Sequence, residues 1–314
     1  MKSFLYCLIA AGLLTIFCND GSDTGNSPPV TTTPTESFGA MTVTMDCDHS
    51  STGAVGKYYD GPNPQPKVWD VVMTDGDCKL IVPRTFTCDP PCTSGTACVE
   101  GDTCMSYPNP VDAGTITLSG VKTKEGATTV TMKAVGTAKI YSPAEEIEFL
   151  AFAEGGTVSV HSTGTALLPS FSMSVPAISK INVLNNGINL VRGQPINLRW
   201  EPPVTPGNSM IHVLIDITYH GGTKAEIEAE TPDDGSLDIG APILDKLQDY
   251  GLSGYPKIEI TRHIQAMDAV TKMKLNVESF VSYELLIDGL HSCDDFTDCP
   301  AGMGFTSCSA AKCQ

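Results

Sequence analysis

INLVRGQPINLRWEPPVTPGNSMIHVLIDITYHGG, residues 188–222, holds two alternating runs separated by a proline-rich turn. Ile196, Leu198 and Trp200 fall on one side of the first run, and Asn197, Arg199 and Glu201 on the other. Ile211, Val213, Ile215, Ile217 and Tyr219 share one side of the second run. Successive side chains of a strand point to opposite faces, so a period of two predicts strands with one buried face.

The same period extends in both directions. Downstream lie YPKIEITRH (255–263) and a long alternation through Met273, Leu275, Val277, Val281, Tyr283, Leu285 and Ile287. Upstream, Met41, Val43 and Met45 alternate with Thr42 and Thr44. VWDVVM (68–73) and KLIVP (79–83) bracket TDGD, which predicts a hairpin. TITLS (115–119), TTVTMKAV (128–135), TVSVH (157–161) and FSMSV (171–175) complete the set. Many short strands bounded by Gly and Pro predict an all-β fold of two β-sandwich-like domains. Two stretches are helix candidates. GAPILDKLQDYG (240–251) has a proline start, a glycine stop and Ile243, Leu244 and Leu247 on one face. SPAEEIEFLAF (142–152) has Ser142 as cap and Pro143 behind it, with an edge strand as its alternative.

A strand that carries Trp200 near its end and runs into Pro202-Pro203 resembles the second strand of fibronectin type III and related immunoglobulin-like domains. The resemblance implies that Trp200 is core, between two sheets. The helix at 240–251 departs from that family's simple form.

At the N-terminus an apolar run from Phe4 to Phe17 follows Lys2 and ends at Cys18. It is too short for a good membrane span and has the length of a signal-peptide core. A polar Asp, Gly, Ser, Thr and Pro tract follows, with too little apolar surface to fold. The pattern resembles a bacterial lipoprotein signal, which implies lipidation of Cys18; Thr15 and Phe17 depart from the family's preferences before the cysteine. The expected organisation is a signal peptide (1–18), a disordered tether (19–38) and an N-terminal β-domain (39–175) with a cysteine knob at 88–104. An immunoglobulin-like sandwich (176–290) and a second knob (291–314) follow.

CDPPCTSGTACVEGDTC (88–104) and CDDFTDCPAGMGFTSCSAAKC (293–313) each hold four cysteines. With Cys7 and Cys18 assigned to the signal region, ten of the 12 cysteines remain. An even set in an exported chain predicts disulfides. No CxxC occurs, which removes the common zinc and thioredoxin-type spacings. Four cysteines permit three pairings. The interleaved one is preferred in each cluster: Cys88–Cys98 with Cys92–Cys104, and Cys293–Cys308 with Cys299–Cys313. Cys47 and Cys78 are then left to staple the first domain to itself. Both clusters resemble cysteine knobs of secreted and surface lipoproteins of myxobacteria, which implies a location rather than an activity.

A formal charge of −17 disfavours nucleic acid and anionic membrane surfaces as partners. The histidines, His49, His161, His212, His220, His263 and His291, form no HxxxH or HExxH. His212, His220 and Asp216 share a strand face that His263 could join from a neighbour, a set able to hold zinc; an ordinary polar face is the plainer expectation. GxSxG, GxxxxGK[ST] and helix-opening GxGxxG motifs are lacking. The acidic turns 19–25, 231–236 and 293–299 lack a full calcium loop, and Asp233, Asp234 and Gly235 fit a hairpin turn better. The expectation is an exported, lipid-anchored structural or interaction protein without catalysis, cofactor or metal. Its partner is an unknown protein or glycan, and it meets a membrane only through the lipid. A carbohydrate- or small-ligand-binding module is the alternative, with a hydrolase behind it.

Overall fold

The structure is a computed structural model that describes residues 30–31, 38–152, 155–204, 207–222, 224–287, 290–291, 293, 297, 299, 306–309 and 312–313. The expected signal segment, Cys18 and most of the expected tether lie outside the described residues. The first half carries β1 (Val30–Thr31), β2 (Phe38–Asp46), β3 (Ser51–Tyr59), β4 (Lys67–Asp75), β5 (Cys78–Thr85), β6 (Thr96–Val99) and β7 (Thr103–Ser106). Then come β8 (Ile116–Ser119), β9 (Thr129–Met132), β10 (Thr157–Ser162) and β11 (Phe171–Pro176). The second half carries β12 (Ile188–Leu190), β13 (Ile196–Arg199), β14 (Met210–Asp216), β15 (Glu226–Pro232), β16 (Ser236–Ile239), α1 (Ala241–Asp249), β17 (Lys257–Met267) and β18 (Lys274–Ile287). β19 (Cys308–Ser309) and β20 (Lys312–Cys313) close the chain. The fold is all-β, with α1 the single helix among the described residues.

One sheet organises the molecule. Its order is β3-β2-β18-β17-β14-β15-β5-β4, with β12 also paired to β18. β2 runs parallel to β18, Val43 opposite Val277, and β12 continues along the same side, Ile188 opposite Leu285. The β4–β5 hairpin joins through β15, Glu228 opposite Lys79. The expected boundary at 175/176 therefore does not divide the sheet, which takes strands from both supposed domains. The cause lies in strand length. β17 has 11 residues and β18 has 14, well beyond the roughly five or six of an ordinary strand. Each is long enough to serve two cores.

Those cores are real and separate, but they share the inner face of that sheet. Over one half lies the four-stranded sheet β11-β10-β8-β9. Ile116, Leu118, Val158, Val160 and Phe171 from this layer meet Met41, Val43, Leu275 and Val277. Over the other half lie the β13–β16 pair and α1. There Leu198, Trp200, Ile243, Leu244 and Leu247 meet Ile211, Val213, Ile215, Ile258 and Ile260. Gly240 is the extended N-cap residue of α1, and the Asp75 carboxylate lies where a Cβ there would fall.

Between the cores runs a polar seam. Arg262 stands on β17 between Ile260 of one core and Ile264 of the other, and its side chain is 1% exposed. Its Nε donates to Asp233 Oδ2 at 2.6 Å and its Nη2 to Asp233 Oδ1 at 3.0 Å. Nη1 donates to Ser179 Oγ and the Lys180 carbonyl, and Nη2 also to the Glu201 carbonyl. Asp233 Oδ1 accepts in addition from Trp200 Nε1 and Oδ2 from Ser209 Oγ, both at 2.8 Å. Opposite Arg262, Ser279 Oγ accepts from the Ile181 amide. The guanidinium thus pins the segment 179–181, where the chain passes from the first cover to the second.

The turn 231–236 is a correction. It does not close a hairpin, because β15 pairs with β14 and β5 whereas β16 pairs with β13. It carries the chain between sheets, with Gly235 at φ 103° and its carbonyl accepting from the Trp200 amide. The helix candidate 142–152 is also not a helix. The Glu148 amide donates to the Lys122 carbonyl and the Lys124 amide to that of Glu146. The Lys122 and Lys124 ammonium groups meet the carboxylates of Glu148 and Glu146 across this irregular strand-like pairing.

Removing one partner of a buried pair leaves the other charge stranded, so Asp233→Ala and Arg262→Met should each cost about 3–5 kcal/mol. Trp200→Ala should cost a similar amount, about 3–5 kcal/mol, as a cavity in the second core. Urea unfolding followed by far-UV circular dichroism checks all three.

Candidate functional site: the open face and free edge of the large sheet

The outer face of the large sheet carries no covering layer among the described residues. At its end, β4 is an edge strand whose outer side no described strand pairs. Trp69, Val71 and Val72 are 36%, 53% and 49% exposed there. A bulge between Val71 and Met73 turns the far half of the strand. The Lys67 ammonium lies 4.1 Å from the centre of the Trp69 ring. Arg84 Nε donates to Asp70 Oδ2 at 2.7 Å on the opposite side of the hairpin. Behind the edge, Val68, Phe86, Val99 and Met105 line an apolar cleft of about 410 Å³ between the hairpin and the first knob.

Inward from the edge, the face becomes a ladder of ionisable groups. Val71 is opposite Ile81, and Ile81 is opposite Glu226 on β15. Burial, and then the charge of Asp216, push the Glu226 carboxyl up to about 7, against the pull of Lys67 and Lys257. Two residues on, His212 Nε2 lies 3.1 Å from Glu228 Oε1. His263 Nε2 lies 2.7 Å from Glu230 Oε1. Burial raises the Glu278 carboxyl, with His263 opposing and Glu259 adding to the shift.

The sequence-predicted residues distribute as follows. Cys88 is bonded to Cys98 and Cys92 to Cys104, tying β6 and β7 into a knob on which β1 lies parallel to β7. Cys293 is bonded to Cys308 and Cys299 to Cys313. Within each knob three sulfurs lie together, but those sulfurs are held in disulfides. Cys47 and Cys78 are not bonded to each other, which overturns the expected staple. Cys47 follows β2 and Cys78 opens β5, five strand positions away in the sheet, roughly 24 Å at the usual spacing. A disulfide needs Cα atoms within about 7 Å. Cys47 instead lies 3.4 Å from Ser279 Oγ beside the seam. Burial pushes the Cys78 thiol up to about 11.

Of the zinc candidates, His212 and His263 reach the same face on adjacent strands. Asp216 is buried and accepts from the Thr218 amide and hydroxyl. His220 sits in the following turn at φ 61°, its ring against Tyr219 and Tyr255. His49 Nδ1 lies 2.8 Å from Asp46 Oδ2 at a separate corner. The acidic turn 19–25 and most of 293–299 lie outside the described residues. Sequence reasoning missed Arg262 altogether and took Asp233 for a turn residue rather than its buried partner. The available signal was an arginine at an inward parity position of an apolar strand. Comparison with protein families and with curated proteins finds no match to this chain.

Two outcomes follow from this geometry. Without reductant, alkylation of the unfolded protein should label Cys47 and Cys78 but none of the eight knob cysteines, and Cys78 should stay unlabelled in the native protein at pH 8; peptide mass spectrometry reads both. The second outcome concerns pH. Glu226 is raised in the folded state, so between about pH 4.5 and 7 the native protein binds more protons than the unfolded chain, and stability falls as pH rises. Glu226→Gln removes that loss. At pH 8 it should be more stable than the wild type by on the order of 1 kcal/mol, allowing for solvent screening of this half-exposed group. At pH 4 the difference should vanish.

Proposed function

We propose that this chain is an exported protein, anchored by a lipid on Cys18, that performs no catalysis and acts by presenting the edge and open face of its large sheet to a protein partner. The observation that carries the reading is β4. It is a nine-residue edge strand with three large apolar side chains facing solvent. An exposed edge of that kind is a template for another strand, which natural proteins usually blunt. Here the bulge and Lys67 limit open-ended pairing, while residues 67–71 keep regular geometry for one partner strand. Main-chain hydrogen bonds would supply affinity, and Trp69, Val71 and the cleft behind Val68 would select side chains. The likeness of the two knobs to those of myxobacterial surface lipoproteins, and the apolar run ending at Cys18, support export and anchoring.

Trp69 favours a second reading, in which the exposed indole stacks on a sugar ring beside the carboxylates of β15. Lys67 covers one face of that indole, which leaves the other for a ligand.

A photo-crosslinker placed at the exposed Asp70 of β4 in producing cells should capture one discrete protein, whereas one at the exposed Glu145, on a distant loop, should not. Val71→Lys with Val72→Lys should abolish capture while changing stability by less than about 0.5 kcal/mol each. Equal capture from both positions would overturn the edge reading. Binding to a glycan array that Trp69→Ala removes and the lysine pair leaves intact would favour the second. Cys18→Ser should move the protein from the membrane fraction to the soluble one.

A further inference from the structure

His212 and His263 stand three and four strands in from β4, beyond the edge pairing proposed above. His212 stands on β14, directly opposite Glu230 of β15 and Thr261 of β17. His263 stands on β17, opposite Met210, one step diagonally from His212. Glu230 belongs to β15, yet its Oε1 reaches His263 Nε2 at 2.7 Å. The carboxylate therefore spans β14 and lies over the strand that carries His212. On the same strand as Glu230, Glu228 reaches His212 Nε2 at 3.1 Å. Two imidazoles and two carboxylates from three adjacent strands thus stand as two neighbouring pairs over β14 and its flanks.

The geometry points to a binding site for a first-row transition ion such as Zn²⁺, with His212, His263 and Glu230 as ligands and Glu228 completing the set. This inference is independent of the β4 reading. Zinc bonds imidazole nitrogen at about 2.0–2.1 Å and carboxylate oxygen at about 2.0–2.2 Å in tetrahedral geometry, which sets ligand atoms about 3.3 Å apart. The two nitrogen–oxygen separations already present, 3.1 and 2.7 Å, need to widen by only a few tenths of an ångström. The remaining adjustment is to draw the two pairs together. Among the described residues, no three His or carboxylate ligand atoms lie within 4.8 Å of one another. Each pair sits on side chains between 28% and 45% exposed, free to change rotamer without disturbing a core.

Electrostatics favour the ion. Glu228, Glu230, Glu259 and Glu278 surround the two histidines; Lys79 pairs across from Glu228, and Lys257 holds Glu259, its Nζ 3.3 Å from Oε2, so Glu228, Glu230 and Glu278 carry the excess negative charge. The donor set also selects. Two imidazole nitrogens suit zinc, copper or nickel, while calcium needs six to eight oxygens. A metal would replace the hydrogen that each Nε2 shares with its carboxylate. A neutral ring then carries its one proton on Nδ1, whereas an imidazolium must release a proton to solvent, so binding weakens as pH falls below the histidine range.

Calorimetric titration of the oxidised full-length protein with Zn²⁺ at pH 7.5 should give one ion per chain, not displaced by millimolar Ca²⁺. His212→Gln and His263→Gln should each lower affinity at least tenfold, and the double variant should abolish binding. His161→Gln and His220→Gln should leave it unchanged. Glu230→Gln should weaken it while thermal unfolding in chelator matches the wild type. Full Zn²⁺ binding by the double variant, or no binding at 0.1 mM, would overturn the site. With Co²⁺ in place of Zn²⁺, a thiolate charge-transfer band would place the metal on Cys47 instead and equally overturn it.

Discussion

The pairing of Arg262 with Asp233 is the constraint on which the other parts depend. A guanidinium and a carboxylate with side chains 1% and 3% exposed survive only when every donor and lone pair is used. Here they are. The carboxylate accepts from Arg262 twice, from Trp200 and from Ser209. The guanidinium's other donors go to backbone carbonyls of Ser179, Lys180 and Glu201 and to the Ser179 hydroxyl. These contacts fix four things at once: the crossing between covers, the corner after β15, the Trp200 ring and the central strand β17. An apolar residue at 262 would fuse the two cores into one continuous greasy face. Nothing would then specify where one cover ends and the next begins.

Much of the fold was legible because one physical rule, alternation, governs it. The β4–β5 hairpin, β8 to β11, β14, β17, β18 and α1 all follow from periodicity and from turn residues. The burial of Trp200 beside Leu198 and the Ile211–Ile217 side follows the same way. What alternation cannot supply is partnership. It says that β2 has an apolar side, but not that this side lies in register with Leu275 and Val277 more than 230 residues later. The failed Cys47–Cys78 staple came from the same gap. Counting left two cysteines over, and only the sheet order reveals that four strands stand between them. For TPDDGS, the composition of a tight turn is the same whether the next strand folds back or leaves for another sheet. The segment 142–152 had helical residue types, but its backbone pairs with Lys122 and Lys124 and buries Ile147 in the first core.

The candidate site was less legible, for a related reason. Exposed polar residues on strands carry little sequence signature, since any solvated face shows them. His212 and His263 could be suspected of meeting, but Glu228 and Glu230 could be named only once β15 was placed beside β14. The edge was hidden more deeply. VWDVVM has the composition of a central strand, and only topology puts it at the margin. Where a strand with core-like composition is left at an edge, local preference and global position disagree, and such disagreements concentrate at places selected for something other than stability.

The parallel pairing of β2 with β18 bears on how the chain reaches its fold. Asn276 Nδ2 on β18 donates to Thr42 Oγ1 on β2, a sequence separation of 234. Closing a loop of that length costs roughly 2–3 kcal/mol more than closing the 15-residue loop of Cys293–Cys308. The knobs can therefore form early and locally, while the sheet waits for a strand more than 220 residues downstream of β2. β3 can meet Tyr141 and Pro110 earlier, but β2 has no second partner strand until β18, more than 220 residues further on, arrives to lie between it and β17. Both hydrophobic cores draw on β18. A chain cut short before residue 274 would not lose a terminal module; it would lose the strand through which both halves are joined.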